Sequence, residues 1–251
     1  MASGLELVRA RKSMKDRLIV ALDVDSLDEV RKLVGILAPE VGMFKIGKQL
    51  FTCAGPQAVS LVQELGGEIF LDLKFHDIPN TVAKAAIEAT RLGVKMFNVH
   101  ASGSLEMMRQ TVKEVRRVCR QEKRRRPIML AVTVLTSLNQ EDLERVGVNQ
   151  KVAAQVVRLA LLTKEAGMDG VVASPQEVTA IREACGPRFV IVTPGIRPAA
   201  AEHNDQRRVM TPQDAVRSGV DYIVVGRPIV EAKDLVAAAR AIVADMGRSG
   251  K

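Results

Sequence analysis

Short apolar runs recur along the chain, and most are followed by a segment with the periodicity of an amphipathic helix. The runs are almost continuously apolar, as in strands that are buried on both faces. Strands of this kind that alternate with helices indicate a parallel sheet covered by helices. Eight runs have the pattern of strands, and they begin at Leu18, Met43, Ile69, Met96, Ile128, Gly170, Phe189 and Tyr222.

Eight such units within 251 residues, with no change in composition between them, favour a closed barrel over an open sheet. A (β/α)8 barrel typically takes about 250 residues. We therefore predict an α/β fold, a single (β/α)8 TIM barrel of parallel strands over residues 17–251, after a polar N-terminal leader at residues 1–16. In such barrels the active site lies at the C-terminal ends of the strands.

The composition is that of a folded protein with a large core, at 47% hydrophobic and 26% charged residues. No apolar run approaches the roughly 18 residues of a membrane span, and the polar start lacks the apolar centre of a signal peptide. We expect a cytoplasmic protein without membrane contact. Cys53, Cys119 and Cys185 are widely separated, so they suggest neither a disulfide framework nor a zinc site.

The net charge of +8 suits an anionic partner, either a phosphorylated small molecule or a nucleic acid. Single-strand binding usually needs aromatic stacking platforms, whereas this chain has no Trp, one Tyr and six Phe. The densest basic run, residues 123–126, precedes Pro127 at the end of a predicted helix, and a solvated helix end explains it. We therefore expect a small-molecule partner and no nucleic acid.

The third apolar run continues directly into charged residues. Because side chains alternate along a strand, Phe70, Asp72 and Lys74 are predicted to share one face. Asp77 follows in the loop before Pro79, which is suited to the first turn of a helix. A surface ion pair would be the simpler explanation and would be worth little. The cost of placing charges beside a buried run favours a functional role instead.

Polar and charged side chains also follow the other predicted strands, so a barrel would gather them at one mouth. Acids and lysines together offer a proton donor beside a fixed negative charge, which suits the capture of a carbanion. Gly226 and Arg227 follow the eighth strand, where barrels often bind phosphate. The residues at the predicted strand ends are Asp23, Lys45, Asp72, Lys74, His100, Thr136, Ser137, Arg197 and Arg227.

His76 and His100 lie on separate segments and lack a third ligand in the sequence pattern, so we predict no metal site.

Residues 72–81, read as DLKFHDIPNT, resemble the signature of the orotidine 5′-phosphate decarboxylase family. Further segments resemble the family's other motifs in the same order along the chain. They are ALD at 21–23, KIG at 45–47, NVHA at 98–101, AVT at 131–133 with LTS at 135–137, TPGIR at 193–197, NDQ at 204–206 and VVGR at 224–227. The resemblance runs from about Arg17 to the last predicted helix.

The resemblance implies decarboxylation of orotidine 5′-phosphate to UMP without a metal or another cofactor. Lys74 would protonate the carbanion left at C6 of the pyrimidine. Asp72 would face the departing carboxylate and hold Lys74, while Lys45 and Asp23 would complete the charged network and contact the ribose hydroxyls. The remaining implied contacts are Thr136 and Ser137 at the pyrimidine ring, Gln206 between base and phosphate, and Arg197, Gly226 and Arg227 at the phosphate.

The resemblance also implies a homodimer with shared active sites, in which Asp77 and Thr81 reach into the partner's site. The polar loop from Pro194 to Met210 would then act as a lid.

Two other functions remain open at this point. A magnesium-dependent sugar-phosphate decarboxylase or hexulose-phosphate synthase of the same barrel group would share an Asp-x-Lys-x-x-Asp arrangement. A non-catalytic nucleotide or RNA-binding module would use the positive charge alone, but binding does not explain the alternation of acids and lysines.

Overall fold

A computed structural model describes residues 13–198 and 210–248 of the chain. Eight parallel strands close into a barrel in sequence order, which confirms the predicted fold class. The strand starts agree with the predicted ones except in the seventh strand, which begins one residue later. The strands are β1 Leu18–Leu22, β2 Met43–Gly47, β3 Ile69–Phe75, β4 Met96–His100, β5 Ile128–Val132, β6 Gly170–Val172, β7 Val190–Thr193 and β8 Tyr222–Val225.

Helices cover the outside of the barrel and connect successive strands. They are α1 Leu27–Leu37, α2 Lys48–Ala54, α3 Pro56–Glu64, α4 Pro79–Arg91, α5 Leu105–Gln121, α6 Gln140–Arg145, α7 Val152–Glu165, α8 Val178–Cys185, α9 Pro212–Ser218, α10 Arg227–Val230 and α11 Leu235–Met246. Short 3-10 turns occupy Met14–Arg17, Ala101–Gly103 and Pro175–Glu177. The sequence pattern predicted one helix after each strand, so the short helices α2, α6 and α10 are additions.

Local sequence explains where several helices begin and end. Ser26 caps α1, because its hydroxyl accepts a hydrogen bond from the backbone N–H of Glu29. Pro56 and Pro79 occupy the first positions of α3 and α4, where a missing N–H costs nothing. Gly55 separates α2 from α3 at a φ of 57°, a left-handed value that glycine adopts without strain.

Apolar side chains form two layers, one inside the barrel and one between the strands and the helices. The inner layer alternates along each strand with residues of the outer layer, as the period of a strand requires. Its members fill the barrel below the strands' C-terminal ends. They are Ile19, Ala21, Met43, Phe70, Met96, Leu130, Val132, Val172, Val192, Tyr222 and Val224.

Ion pairs tie the opposite, N-terminal end of the barrel together. Arg126 makes two hydrogen bonds to the carboxylate of Asp169, whose oxygen also accepts from the backbone N–H of Met129. Arg182 pairs with Asp221 at 2.9 Å. The basic run at residues 123–126 therefore does more than solvate a helix end, because it anchors the start of β5.

Three smaller predictions concern the N-terminus, the cysteine thiols and membrane-spanning helices. Residues 1–12 lie outside the described part of the chain, so the division into a leader and a barrel at residue 17 stays a prediction. Cys119 and Cys185 are buried free thiols, and Cys53 is an exposed one. None of the described helices is long and apolar enough to cross a membrane.

Gly170 in β6 provides a test of the close approach between neighbouring strands. A Cβ atom at this position would overlap the carbonyl oxygen of Val190 in β7. Gly170→Ala should therefore lower the free energy of unfolding by about 1–3 kcal/mol or more. Gly35→Ala is the matched control, because a Cβ on this exposed α1 glycine meets nothing within 4 Å and should stabilise by about 0.5–1 kcal/mol. Urea unfolding midpoints compare the two, and a Gly170→Ala variant as stable as the natural chain would contradict the packing described.

Candidate active site

A cavity of about 540 Å³ opens at the C-terminal ends of the strands. The top of the inner apolar layer forms its floor, through Ala21, Phe70, Val132, Val172 and Val224. Polar and charged side chains from the strand ends and the following loops form its walls. This position agrees with the mouth predicted from the sequence.

Four charges of alternating sign form one wall, at the ends of β1, β2 and β3. The Nζ atom of Lys45 lies 3.0 Å from Asp23 Oδ1 and 3.7 Å from Asp72 Oδ2. The Nζ atom of Lys74 lies 2.7 Å from Asp72 Oδ1. Asp72 therefore lies between two ammonium groups, and Lys45 lies between two carboxylates. We call these four residues the charged wall.

The strand register explains how the charged wall forms. Lys45 pairs with Ala21 on one side and Phe70 on the other, so its side chain shares the barrel interior with both. Gly47 pairs with Asp72, and a Cβ at Gly47 would lie 3.1 Å from Lys45 Nζ. Glycine at this position leaves the ammonium group room to stand beside Asp23.

Burial makes the pairing of Lys45, Asp72 and Lys74 necessary, whereas the side chain of Asp23 is 60% exposed. The side chains of Lys45 and Asp72 are each 12% exposed, and that of Lys74 is 24% exposed. Removing one partner of a buried ion pair leaves an uncompensated charge and costs about 3–5 kcal/mol. An arrangement of this kind is retained where it supplies chemistry, since a well-packed apolar wall would be at least as stable.

Regular alternation along β3 ends before Lys74, which corrects the simple strand prediction. Phe70 and Asp72 share the inner face as predicted. Lys74 instead has a φ of 52°, and the pairing of β3 with β4 shifts register between Leu71 and Phe75. Lys74 therefore reaches the cavity from a bulge rather than from an extended strand.

Two arginines stand elsewhere on the rim, on the loops after β7 and β8. Arg197 is only 9% exposed, and Arg227 begins α10 next to Gly226. Burial lowers the pKa of Arg197 below its usual value, and the neighbouring positive charge of Arg227 lowers it further, whereas Glu231 opposes the shift. Two adjacent guanidinium groups in a partly desolvated site favour an anion between or beside them.

The loop after β7 returns to the mouth at its far end. Ile196 and Met210 form a parallel bridge, and the backbone N–H of Arg197 donates to the carbonyl of Met210 at 3.0 Å. Residues 199–209 lie outside the described part of the chain. The predicted lid over Pro194–Met210 therefore stays a prediction, as does the role of Gln206, which falls in that segment.

The structure brings together most of the predicted site residues. The cavity is lined by Asp23, Lys45, Asp72, Lys74, Thr136, Arg197, Gly226 and Arg227. Ser137 is exposed in the turn after β5 and is not among the lining residues. Asp77 and Thr81 are exposed at the two ends of the first turn leading into α4, also outside the lining, and Asp77 accepts a hydrogen bond from the N–H of Ile78 at 2.6 Å.

The two histidines beside the mouth contact each other. The rings of His76 and His100 lie 5.4 Å apart, centroid to centroid. Burial lowers the pKa of His100 to about 4, and the charges of His76, Lys74 and Lys48 act in the same direction. Within residues 13–198 and 210–248, no group of three or more His, Cys, Asp or Glu side chains is placed to hold a metal ion.

A family model described as "Orotidine 5'-phosphate decarboxylase / HUMPS family" matches residues 16–242, which include every residue of the site described above. The chain belongs to this family. It is 57% identical over 237 residues to the orotidine 5′-phosphate decarboxylase of Moorella thermoacetica, covering 94% of both chains. It is 55% identical over 236 residues to that of Geotalea daltonii, covering 94% of this chain and 98% of the relative.

Solved structures carry the same fold. The crystal structure of orotidine 5′-phosphate decarboxylase from Lactobacillus acidophilus superposes with a TM-score of 0.81 at 38% identity, covering 92% of this chain and 99% of the other. This chain therefore has the same barrel fold as a solved decarboxylase of its family.

Two residues that line or support the site of this orotidine 5′-phosphate decarboxylase family member had no role predicted from the sequence. Gln49 of α2 lines the cavity, and its amide donates to the carboxylate of Asp25. Asn98 of β4 is fully buried and contacts both Asp72 and Lys74. Asn98 occurs in a motif that resembles the family's, but only the fold shows which residues its amide touches.

Proposed function

We propose that this chain decarboxylates orotidine 5′-phosphate to UMP without a metal or another cofactor. The charged wall carries the proposal, because it sets a lysine ammonium 2.7 Å from a carboxylate in a mouth whose rim also holds two arginines. A substrate with a carboxylate at one end and a phosphate at the other matches this distribution of charge. The two relatives compared by sequence above, each more than half identical to this chain, carry the name of that activity.

Decarboxylation in this site requires one proton from the protein. The bond between C6 and the carboxylate carbon breaks, carbon dioxide leaves, and the electron pair stays on C6. Lys74 then gives a proton from Nζ to C6, and solvent restores that proton afterwards. Asp72 faces the departing carboxylate, so like charges approach in the bound substrate and separate as carbon dioxide leaves.

Lys45 supports the metal-free version of the reaction. Its ammonium stands between the carboxylates of Asp23 and Asp72, at 3.0 and 3.7 Å, and supplies there the positive charge that a divalent cation would otherwise bring. The magnesium-dependent sugar-phosphate decarboxylase or hexulose-phosphate synthase is the less favoured function for this reason.

The phosphate is assigned to Arg197, Gly226 and Arg227 on the rim. A Cβ at Gly226 would lie 3.5 Å from Ala21 Cβ, which is ordinary contact, so packing within the protein does not demand glycine there. The missing side chain keeps the rim open beside Arg227. Thr136 and Ser137 are assigned to the pyrimidine ring, and Gln206 to the base and phosphate.

Shared active sites form the second part of the proposal. Asp77 and Thr81 are exposed on either side of Ile78, a residue that is 66% exposed just before α4. Both polar side chains are therefore accessible to a second copy of this chain. In the homodimer Asp77 and Thr81 would complete the partner's site. We assign the enzyme to the cytoplasm, with no nucleic acid or membrane as partner.

An ultraviolet assay tests the reaction. Loss of orotidylate absorbance should proceed with the purified chain in the presence of EDTA, and Lys74→Ala should abolish it. No turnover by the natural chain would refute the decarboxylase proposal, and binding of nucleotide without turnover would favour the non-catalytic module. Turnover that appears only after magnesium is added would favour the metal-dependent sister activity.

Mixing two inactive variants tests the shared sites. In a mixed dimer of Lys74→Ala and Asp77→Ala subunits, one site contains both natural residues. Random pairing should therefore restore about a quarter of the natural activity. Lys45→Ala mixed with Lys74→Ala is the control and should restore none, because both residues serve the same barrel. No recovery in the first mixture, despite demonstrated subunit exchange, would place Asp77 and Lys74 in one subunit's site.

A further inference from the structure

Asn98 lies directly beneath the charged wall, on the inner face of β4. Its side chain is fully buried, and both ends of its amide are engaged. The Nδ2 group donates to Asp72 Oδ1 at 2.7 Å, and the Oδ1 atom accepts from the backbone N–H of Lys74 at 2.8 Å. The partners fix the orientation of the amide, because a carboxylate only accepts and a backbone N–H only donates.

The side-chain carbonyl of Asn98 accepts a hydrogen bond from the bulge in β3. Leu71 pairs with Phe97, but the next pair is Phe75 with Val99, so four residues of β3 advance against two of β4. Within this bulge Lys74 holds a φ of 52°, which is costly for a residue with a side chain. The side chain of Asn98 takes the Lys74 N–H in place of a strand partner and so supports the strained conformation.

The bulge determines where the ammonium of Lys74 lies. Alternate residues of a regular strand stand about 6–7 Å apart along it, and their side chains run roughly parallel. The left-handed turn at Lys74 instead lets Nζ return to Asp72 Oδ1 at 2.7 Å. Asp72 Oδ1 also accepts a hydrogen bond from the Asn98 amide. This bond holds the carboxylate with Oδ1 toward Lys74 and Oδ2 toward Lys45.

We propose that Asn98 is a positioning residue that holds Asp72 and the proton donor Lys74 in their reactive arrangement. The inference rests on the proposed decarboxylation, since it assigns Asn98 a purpose in that reaction. Asn98 has no opening to the cavity and acts only through these two neighbours.

Asn98→Asp is the informative variant, because it keeps nearly the same shape and, when ionised, replaces the donating NH2 group of the amide with an acceptor. The introduced carboxylate, when ionised, would accept from the Lys74 N–H but would repel Asp72. The value of kcat should fall by about 10²-fold near neutral pH, the cost of a small misplacement of reacting groups. The dissociation constant for UMP should stay within about twofold of the natural value, because the phosphate and ribose contacts remain.

Lowering the pH should rescue this variant. Once protonated, the introduced carboxyl group can accept through its carbonyl and donate through its hydroxyl, as the amide of Asn98 does. The ratio of variant to natural kcat should therefore rise as the pH is lowered from about 8 to about 5. Thr111→Val is the control, since it removes a buried hydroxyl that donates to Met107 in α5, away from the mouth, and should leave kcat within about twofold.

Other results would overturn the inference. One is a kcat for Asn98→Asp within about threefold of the natural value at every pH. Another is a loss of kcat matched by an equal loss of UMP binding. A third is failure of both Asn98→Asp and Asn98→Ala to fold. Inactivity of the natural chain would count against the decarboxylation alone. In that case a crystal structure of Asn98→Ala decides the positioning role: Lys74 Nζ displaced from Asp72 supports it, and an unchanged distance contradicts it.

Discussion

The placement of one carboxylate between two ammonium groups is the interaction on which the rest of the mouth depends. The side chain of Asp72 is 12% exposed, and it contacts Lys74 at 2.7 Å and Lys45 at 3.7 Å. A buried charge of either sign is tolerable only with its partners in place. The positions of Asp23, Gly47 and Asn98 follow from that need, because each supports or leaves room for a member of the charged wall. Such an array is fixed before substrate arrives, which spares the reaction the cost of reorganising water or side chains.

The two sets of charges divide the work of the proposed reaction. In that proposal the charged wall faces the reacting carbon and its carboxylate, whereas Arg197 and Arg227 bind the phosphate, which does not react. Binding energy from such a remote group can offset the repulsion between the substrate carboxylate and Asp72. The barrel suits this division, because its strands deliver both sets to one end while the apolar layer beneath forms the floor.

Much of this could be predicted from the sequence, and the exceptions have physical reasons. The apolar runs predict the strands, since each strand is buried on both faces. The ends of these strands then place Lys45, Asp72 and Arg227 at the mouth of the barrel. The bulge at Lys74 was not predictable, because it depends on a side chain that arrives from β4, 24 residues later in the chain. Helices α2 and α6 are seven and six residues long, too short for a clear periodic pattern. The orientation of a turn residue such as Ser137, which is exposed after β5, depends on loop geometry that apolar periodicity does not encode.

A comparison of catalysis with product binding in Asp72→Asn tests the central claim most directly. This substitution keeps the shape of the side chain and removes its charge, and Asp28→Asn on the exposed face of α1 controls for the change in net charge. We predict that kcat falls by about 10³-fold or more, while UMP, which lacks the carboxylate, binds as tightly as to the natural chain or more tightly. A kcat within about tenfold of the natural value, or a loss of UMP binding as large as the loss of kcat, would contradict the role of Asp72 described here.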